Sequence, residues 1–238
     1  MLALAISLAA LSLATPSEKT HYGIVFDAGS SGSRIHVYTW KTGGGGPKDS
    51  FDLVKDDLLK IKPGLSAFKD TPAEAGKSLA PLVEHAKNTI PPALVSSTPV
   101  FLMATAGLRM VGDAAKDAIL ASVCSELSAS GFLFKCEWAT LLDGRDEGLY
   151  GWVTVNYLLD GLYAGSAARD AVGIIDLGGG SVQIVFPSKE LADAPKGHSD
   201  SLKFGTRQHD LYIKSHLGFG LDAARTATLD MLVSRATQ

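Results

Sequence analysis

Residues 173–186 read GIIDLGGGSVQIVF: an apolar run, one aspartate, three glycines and a second apolar run. An apolar run of this length bounded by turn residues reads as a buried strand. Asp176 then stands at the strand's C-terminal end, on the lip of a turn with almost no side chains. Glycine lets the backbone adopt positive φ and lets another molecule come close to the exposed N–H groups, which suits an anion. Taken alone, an aspartate in this place is ordinary turn chemistry, its carboxylate bonding the backbone two residues on.

A second copy changes the reading. Residues 22–38, YGIVFDAGSSGSRIHVY, repeat the order of apolar strand, aspartate, glycine, small polar residues and alternating strand. Setting Asp27 on Asp176 puts Gly29 on Gly178 and Ser31 on Gly180. The copies lie too far apart for a solenoid repeat and suit one motif in each of two related halves. Two such turns, facing each other, grip a phosphate chain from both sides. Their aspartates then hold a divalent cation, because phosphates and carboxylates need one to share a site.

The chain has 238 residues and is 46 % hydrophobic, ample for a globular core. Its 22 basic and 25 acidic residues leave a net charge of −3 with no basic cluster, which argues against nucleic acid as a partner. The opening MLALAISLAALSLA, residues 1–14, is too short for a transmembrane helix and matches the length of a signal-peptide core. Ser12 and Ala14 are the small residues that cleavage after Ala14 requires, although no Lys or Arg precedes the run. The expectation is a signal peptide over 1–14, no stable transmembrane anchor, and residence in the secretory pathway (ER or Golgi lumen) or outside the cell. Cys124 and Cys136, the only cysteines, match no zinc or redox spacing. They pair in an oxidising compartment, for roughly 3 kcal/mol in the chain-entropy model, or remain two small buried hydrophobes in a reducing one.

Along the chain, residues 22–40 read as a β-hairpin and GGGGP, residues 43–47, as a surface turn. A loop, KPGLSAF, leads to a helix over 71–90 with Thr71 as cap and Leu79, Leu82, Val83 and Ala86 on its apolar face. A strand from Val100 to Met103 precedes a small-residue turn at Ala104 to Gly107, a helix follows over 113–127, and FLFKCEWATLL reads as another strand. A charged turn, Arg145 to Glu147, introduces a helix carrying Trp152, Val155, Leu158 and Leu159. Trp152 and Tyr157, at helical spacing, read as core, and the pattern weakens beyond 187 until a loop and helix within 215–236. This order says α/β with a mixed sheet.

Four short stretches together resemble the apyrase family, the nucleoside triphosphate diphosphohydrolases: FDAGSSGSR (26–34), ATAGLR (104–109), GRDEGLYGWVTVNYLL (144–159) and DLGGGSVQ (176–183). KPGLSAF and SHLGFGLDAAR are most similar to its secretory-pathway members that prefer nucleoside diphosphates. The resemblance implies an actin/hexokinase-like (ribonuclease H-like) fold, a mixed β-sheet with flanking helices. It divides the chain into a first actin-like domain over 19–165 and the N-terminal part of a second over 166–238, the second domain incomplete because family chains continue much further. It also implies roles. Glu147 corresponds to the general base and Ser181 and Gln183 to the residues that position the attacking water. Asp27 and Asp176 correspond to the holders of Mg²⁺ or Ca²⁺. Ser30, Ser31, Gly32, Ser33 and Arg34, with Gly178, Gly179 and Gly180, match the phosphate loops, and Thr105 and Arg109 flank the terminal phosphate.

The implied reaction is hydrolysis of the terminal phosphate of nucleoside diphosphates (UDP, GDP), with triphosphates open, by direct attack of water. Phosphoryl transfer needs mainly positioning and charge neutralisation, which these residue types supply. Two alternatives stand beside it: a sugar or carboxylate kinase of the same superfold, and a catalytically inactive nucleotide-binding fragment. The chain departs from the family pattern at Arg145, Gly180 and Val182, and Arg145 adds a cation expected to depress the pKa of the base. Oligomeric state is left open.

Overall fold

The computed structural model describes residues 18–43, 52–165, 169–191 and 194–236. The leader and all but Gly43 of GGGGP lie outside the described residues. The first sheet holds β1 (Lys19–Ala28), β2 (Ser33–Thr42), β3 (Asp52–Ile61), β4 (Val100–Ala104) and β5 (Ala139–Leu141), in the order β3-β2-β1-β4-β5. β1 and β2 form the expected hairpin, with Asp27 directly opposite Arg34, and β1 runs parallel to β4. The sheet is therefore mixed.

Alternation decides which face is dry. Ile24, Phe26 and Ala28 on β1 and Ile35 and Val37 on β2 are buried. They share one core with Leu82 of α2 (Ala80–Thr89), Leu102 of β4, and Ile119 and Leu127 of α4 (Asp113–Ser128). Cys124 of α4 is disulfide-bonded to Cys136, in the short 3₁₀ turn ahead of β5. Between β4 and α4 sits a single helical turn, α3 (Ala106–Arg109), which carries Arg109.

The second sheet holds β6 (Ile174–Leu177), β7 (Ser181–Pro187), β8 (Ser199–Phe204) and β9 (Arg207–Leu217), in the order β6-β7-β9-β8, all antiparallel. Helix α5 (Gly144–Leu158) packs on it through a smaller core of Leu149, Trp152, Val185, Leu211 and Ile213. The last helix, α6 (Leu221–Ala236), buries no residue. Among the described residues, no helix is long and apolar enough to cross a membrane.

The structure differs from the sequence expectations at several places. The run at 173–177, read as a buried strand, is the edge strand β6, which leaves Ile175 and Leu177 exposed. The helix expected over 71–90 is split into α1 (Ala73–Lys77) and α2, and Thr71 makes no side-chain cap. Strand β3 is an edge strand rich in charge, without the apolar run that marks a buried one. FLFKCEWATLL yields only a bridge at Leu133, the 3₁₀ turn and the three residues of β5. Strands β8 and β9 occupy the region where the pattern fades. Lastly, Arg145 to Glu147 is not a turn but the first turn of α5, because the Asp143 carboxylate accepts from the Asp146 N–H at 2.8 Å and starts the helix there.

Candidate active site

Both aspartate-tipped turns open on one cleft of about 180 Å³. From the first half come Asp27, Ser30, Ser31, Arg34 and Thr105; from the second, Asp176, Gly178, Gly179, Gly180 and Ser181; and Glu147 joins them from α5. Of the residues singled out in the sequence, Gly32, Ser33, Arg109 and Gln183 do not line it. Arg109 and Gln183 touch those that do. Gly32 instead packs under the loop after β3, where an added Cβ would lie 2.6 Å from the Ile61 carbonyl, and Ser33 is buried with its hydroxyl unpartnered among the described residues.

Glu147 is held by Arg109 and Gln183. The Arg109 guanidinium donates to its Oε2 at 2.5 Å and to Ser181 Oγ at 3.3 Å, and the two charged side chains are 12 % and 18 % exposed. Burial pushes the Glu147 carboxyl above its ordinary pKa; Arg109 pulls it down, and the charges of Asp176 and Asp27 push it up again, for a net rise. The cation beside Glu147 is thus Arg109 and not, as expected, Arg145. Arg145 turns away to bond Asp200 at 2.6 Å and pairs with Asp146 at 3.4 Å.

Behind Glu147, Gln183 is fully buried. Its amide nitrogen faces Ser181 Oγ at 2.7 Å, Ser215 Oγ at 3.1 Å and Glu147 Oε2 at 3.3 Å. The two glycines of GRDEG make this approach feasible. A Cβ on Gly148 would lie 3.1 Å from Gln183 Cβ, and one on Gly144 would lie 2.5 Å from Arg109 Nη1 and 2.6 Å from Ser215 Cβ. Ser215 was not singled out from the sequence; its signal was membership of the SHLGFGLDAAR stretch.

The second glycine turn is braced from outside. The first N–H groups of α6 donate to it, Leu221 to Gly178 O at 2.9 Å and Asp222 and Ala223 to Gly179 O at 3.0 and 3.1 Å. The turn's carbonyls are thereby engaged away from the cleft, which suits an anion on its other side.

Asp27 is ion-paired with Arg34, whereas Asp176 makes no side-chain hydrogen bond or ion pair among the described residues. No group of three or more His, Cys, Asp or Glu side chains arranged for a metal occurs among the described residues. Two carboxylates on a polar cleft fit a cation of the Mg²⁺ or Ca²⁺ kind, which takes oxygen ligands and completes its shell with water and phosphate.

A cleft between two halves, each presenting an aspartate–glycine turn, and a buried glutamate beside it define the class. The chain belongs to the GDA1/CD39 (nucleoside phosphatase) family, whose model matches residues 13–238. It is 41 % identical to human nucleoside diphosphate phosphatase ENTPD5 over 225 residues, 93 % of this chain and 51 % of that protein. It is likewise 41 % identical to mouse ectonucleoside triphosphate diphosphohydrolase 5 over 227 residues, 93 % of this chain and 52 % of that one. The chain therefore spans about half the length of these relatives. Among solved structures, it resembles a nucleoside triphosphate hydrolase from Neospora caninum, with a TM-score of 0.63 at 21 % identity, over 86 % of this chain and 46 % of that one. The mixed sheet with flanking helices is of the actin/hexokinase-like kind, as the resemblance in the sequence implied.

Proposed function

We propose that this chain carries the hydrolytic centre of a nucleoside diphosphatase, one that removes the terminal phosphate of UDP, GDP or related di- and triphosphates by direct attack of water. The observation that carries this reading is that both aspartate–glycine turns and Glu147 share one cleft. Ser30, Ser31 and Arg34 on one side and Gly178, Gly179 and Gly180 on the other take the phosphates; Gly32 and Ser33 support the first loop from behind. Thr105 and Arg109 flank the terminal phosphate. Glu147 takes a proton from the attacking water, and Ser181 and Gln183 hold the carboxylate and that water in register. Asp27 and Asp176 hold Mg²⁺ or Ca²⁺, a cation that when bound neutralises charge on the phosphates.

The raised pKa of Glu147 favours this role, since it makes the carboxylate a stronger base than an exposed glutamate. A kinase of the same superfold would need an acceptor alcohol or carboxylate beside Glu147, whereas a carboxylate bonded to Gln183, itself bonded to Ser181, suits a water there. Residues 19–165 and 166–238 are read as the first actin-like domain and part of the second, with α5 packed on the second. The Cys124–Cys136 disulfide supports an oxidising compartment, the secretory lumen or the exterior.

The test is phosphate release from UDP with Mg²⁺ and no acceptor, alongside UDP binding by calorimetry. Glu147→Gln is expected to lower turnover by roughly 10³-fold and leave binding within a few-fold. A phosphorylated acceptor as sole product would overturn the hydrolase. Binding without turnover in the unaltered protein would establish a binding module instead.

A further inference from the structure

The mechanism above gives Gln183 a task that its side chain alone does not secure. A glutamine turns about several single bonds, and its amide nitrogen carries two hydrogens for the three oxygens around it. Its carbonyl oxygen Oε1 is buried without a partner among the described residues, so the bonds at nitrogen are the amide's only polar restraints. An ionised Glu147 only accepts, so the nitrogen and not the carbonyl must face it.

We propose that Ser215 is a positioning residue for this centre, its hydroxyl oxygen taking one hydrogen of the Gln183 amide so that the other is aimed at Ser181 and Glu147. The proposal rests on the hydrolase reading for its kinetic consequence but not for its geometry. Ser215 stands directly across from Gln183 in the β7–β9 pair, with its Oγ 3.1 Å from Nε2. It does not line the cleft. The glycine at 144 leaves the space in which Ser215 and Arg109 meet the helix, and the glycine at 148 does the same for Gln183. The first turn of α5 is thereby seated on the two side chains that orient its own carboxylate. Without the Ser215 hydroxyl, a buried N–H of Gln183 loses its acceptor, and the amide rotates away from Ser181 and Glu147 to relieve it.

Two measurements test this on the 238-residue chain and on a version extended to the length of its relatives. In ¹⁵N-labelled protein, Gln183→Ala identifies the two side-chain amide signals of Gln183. Ser215→Ala is expected to shift them and to speed their hydrogen exchange at least about tenfold. The Trp152 indole N–H, bonded to the Val172 carbonyl at 2.8 Å, reports that the fold is intact. Ser215→Cys, with a weak acceptor of similar shape, is the second variant and is expected to fall between. In the kinetic arm, with UDP and Mg²⁺, Ser215→Ala lowers kcat roughly ten- to hundredfold with KM within about twofold, and adds no loss to Gln183→Ala. Unchanged Gln183 signals in Ser215→Ala would overturn the proposal, as would a loss that multiplies with that of Gln183→Ala. If the amide signals respond as stated while no unaltered protein releases phosphate, the hold of Ser215 on Gln183 stands and the hydrolase reading falls.

Discussion

The two aspartate hairpins are built alike and finished differently. Asp27 faces Arg34 across its hairpin, and Asp176 faces Gln183 at the same offset across the other. The first pair is ionic and closes on itself. In the second, the neutral partner leaves the aspartate unpaired among the described residues and reaches back to Glu147 and Ser181. One turn thus pairs its own aspartate and the other carries the link to Glu147. The supports differ as well: a core fed by β1, β2, β4 and four helices stands under the first turn, while α5 alone covers the sheet under the second, and α6 buries nothing.

The sharpest break in that comparison is the same deletion made in each core. Leu102→Ala in the first is expected to cost about 4–5 kcal/mol by urea denaturation and Leu211→Ala in the second about 2–3, because the thinner core collapses more readily around the void. Equal costs would erase the asymmetry.

Next comes the link across the cleft. Arg109→Met is expected to lower phosphate release roughly 10²-fold at neutral pH. It also moves the acid limb of the pH–rate profile to higher pH. The proposed base, Glu147, works deprotonated, and losing the Arg109 charge removes the largest influence holding its pKa down. Asp176→Asn moves that limb to lower pH, since a charge that pushes the Glu147 carboxyl up is gone.

A smaller effect separates the aspartates themselves. Asp176→Asn is expected to raise the Mg²⁺ concentration needed for half-maximal activity about tenfold more than Asp27→Asn does, because Arg34 already neutralises part of the Asp27 charge. Similar values would mean that the cation draws Asp27 off its arginine. The least effect belongs to Arg145, which ties α5 to Asp200 from a side chain about one-third exposed. Arg145→Ala is expected to cost less than about 1 kcal/mol of stability.

The first hairpin, β4, α4 and α5 were legible because each buries a regular apolar pattern or carries a motif of fixed spacing, and the second hairpin by its motif alone, because β6 is an edge strand whose Ile175 and Leu177 are exposed. β3 was not: its residues Val54, Lys55 and Asp56 are exposed at a sheet edge, where pairing comes from the neighbouring strand and not from burial. The start of α5 was misread because charge at Arg145 to Glu147 looks like a turn, whereas acidic residues suit the first turn of a helix and Asp143 caps it. At the site, residue types and order pointed to the lining groups, but spacing says nothing about which cation meets Glu147. Only the fold brings Arg109, from the one-turn α3, against Glu147 at the head of α5.

That meeting has a mechanical consequence. Arg109 rides on the first sheet through β4 and α3, while Glu147 rides on the second, where Gly144 and Gly148 let α5 lie close against β7 and β9. Any relative rotation of the two halves must therefore stretch or relax one guanidinium–carboxylate contact. Proton affinity at Glu147 is in this way geared to how far the jaws stand apart, so whatever draws them together would also retune that carboxylate.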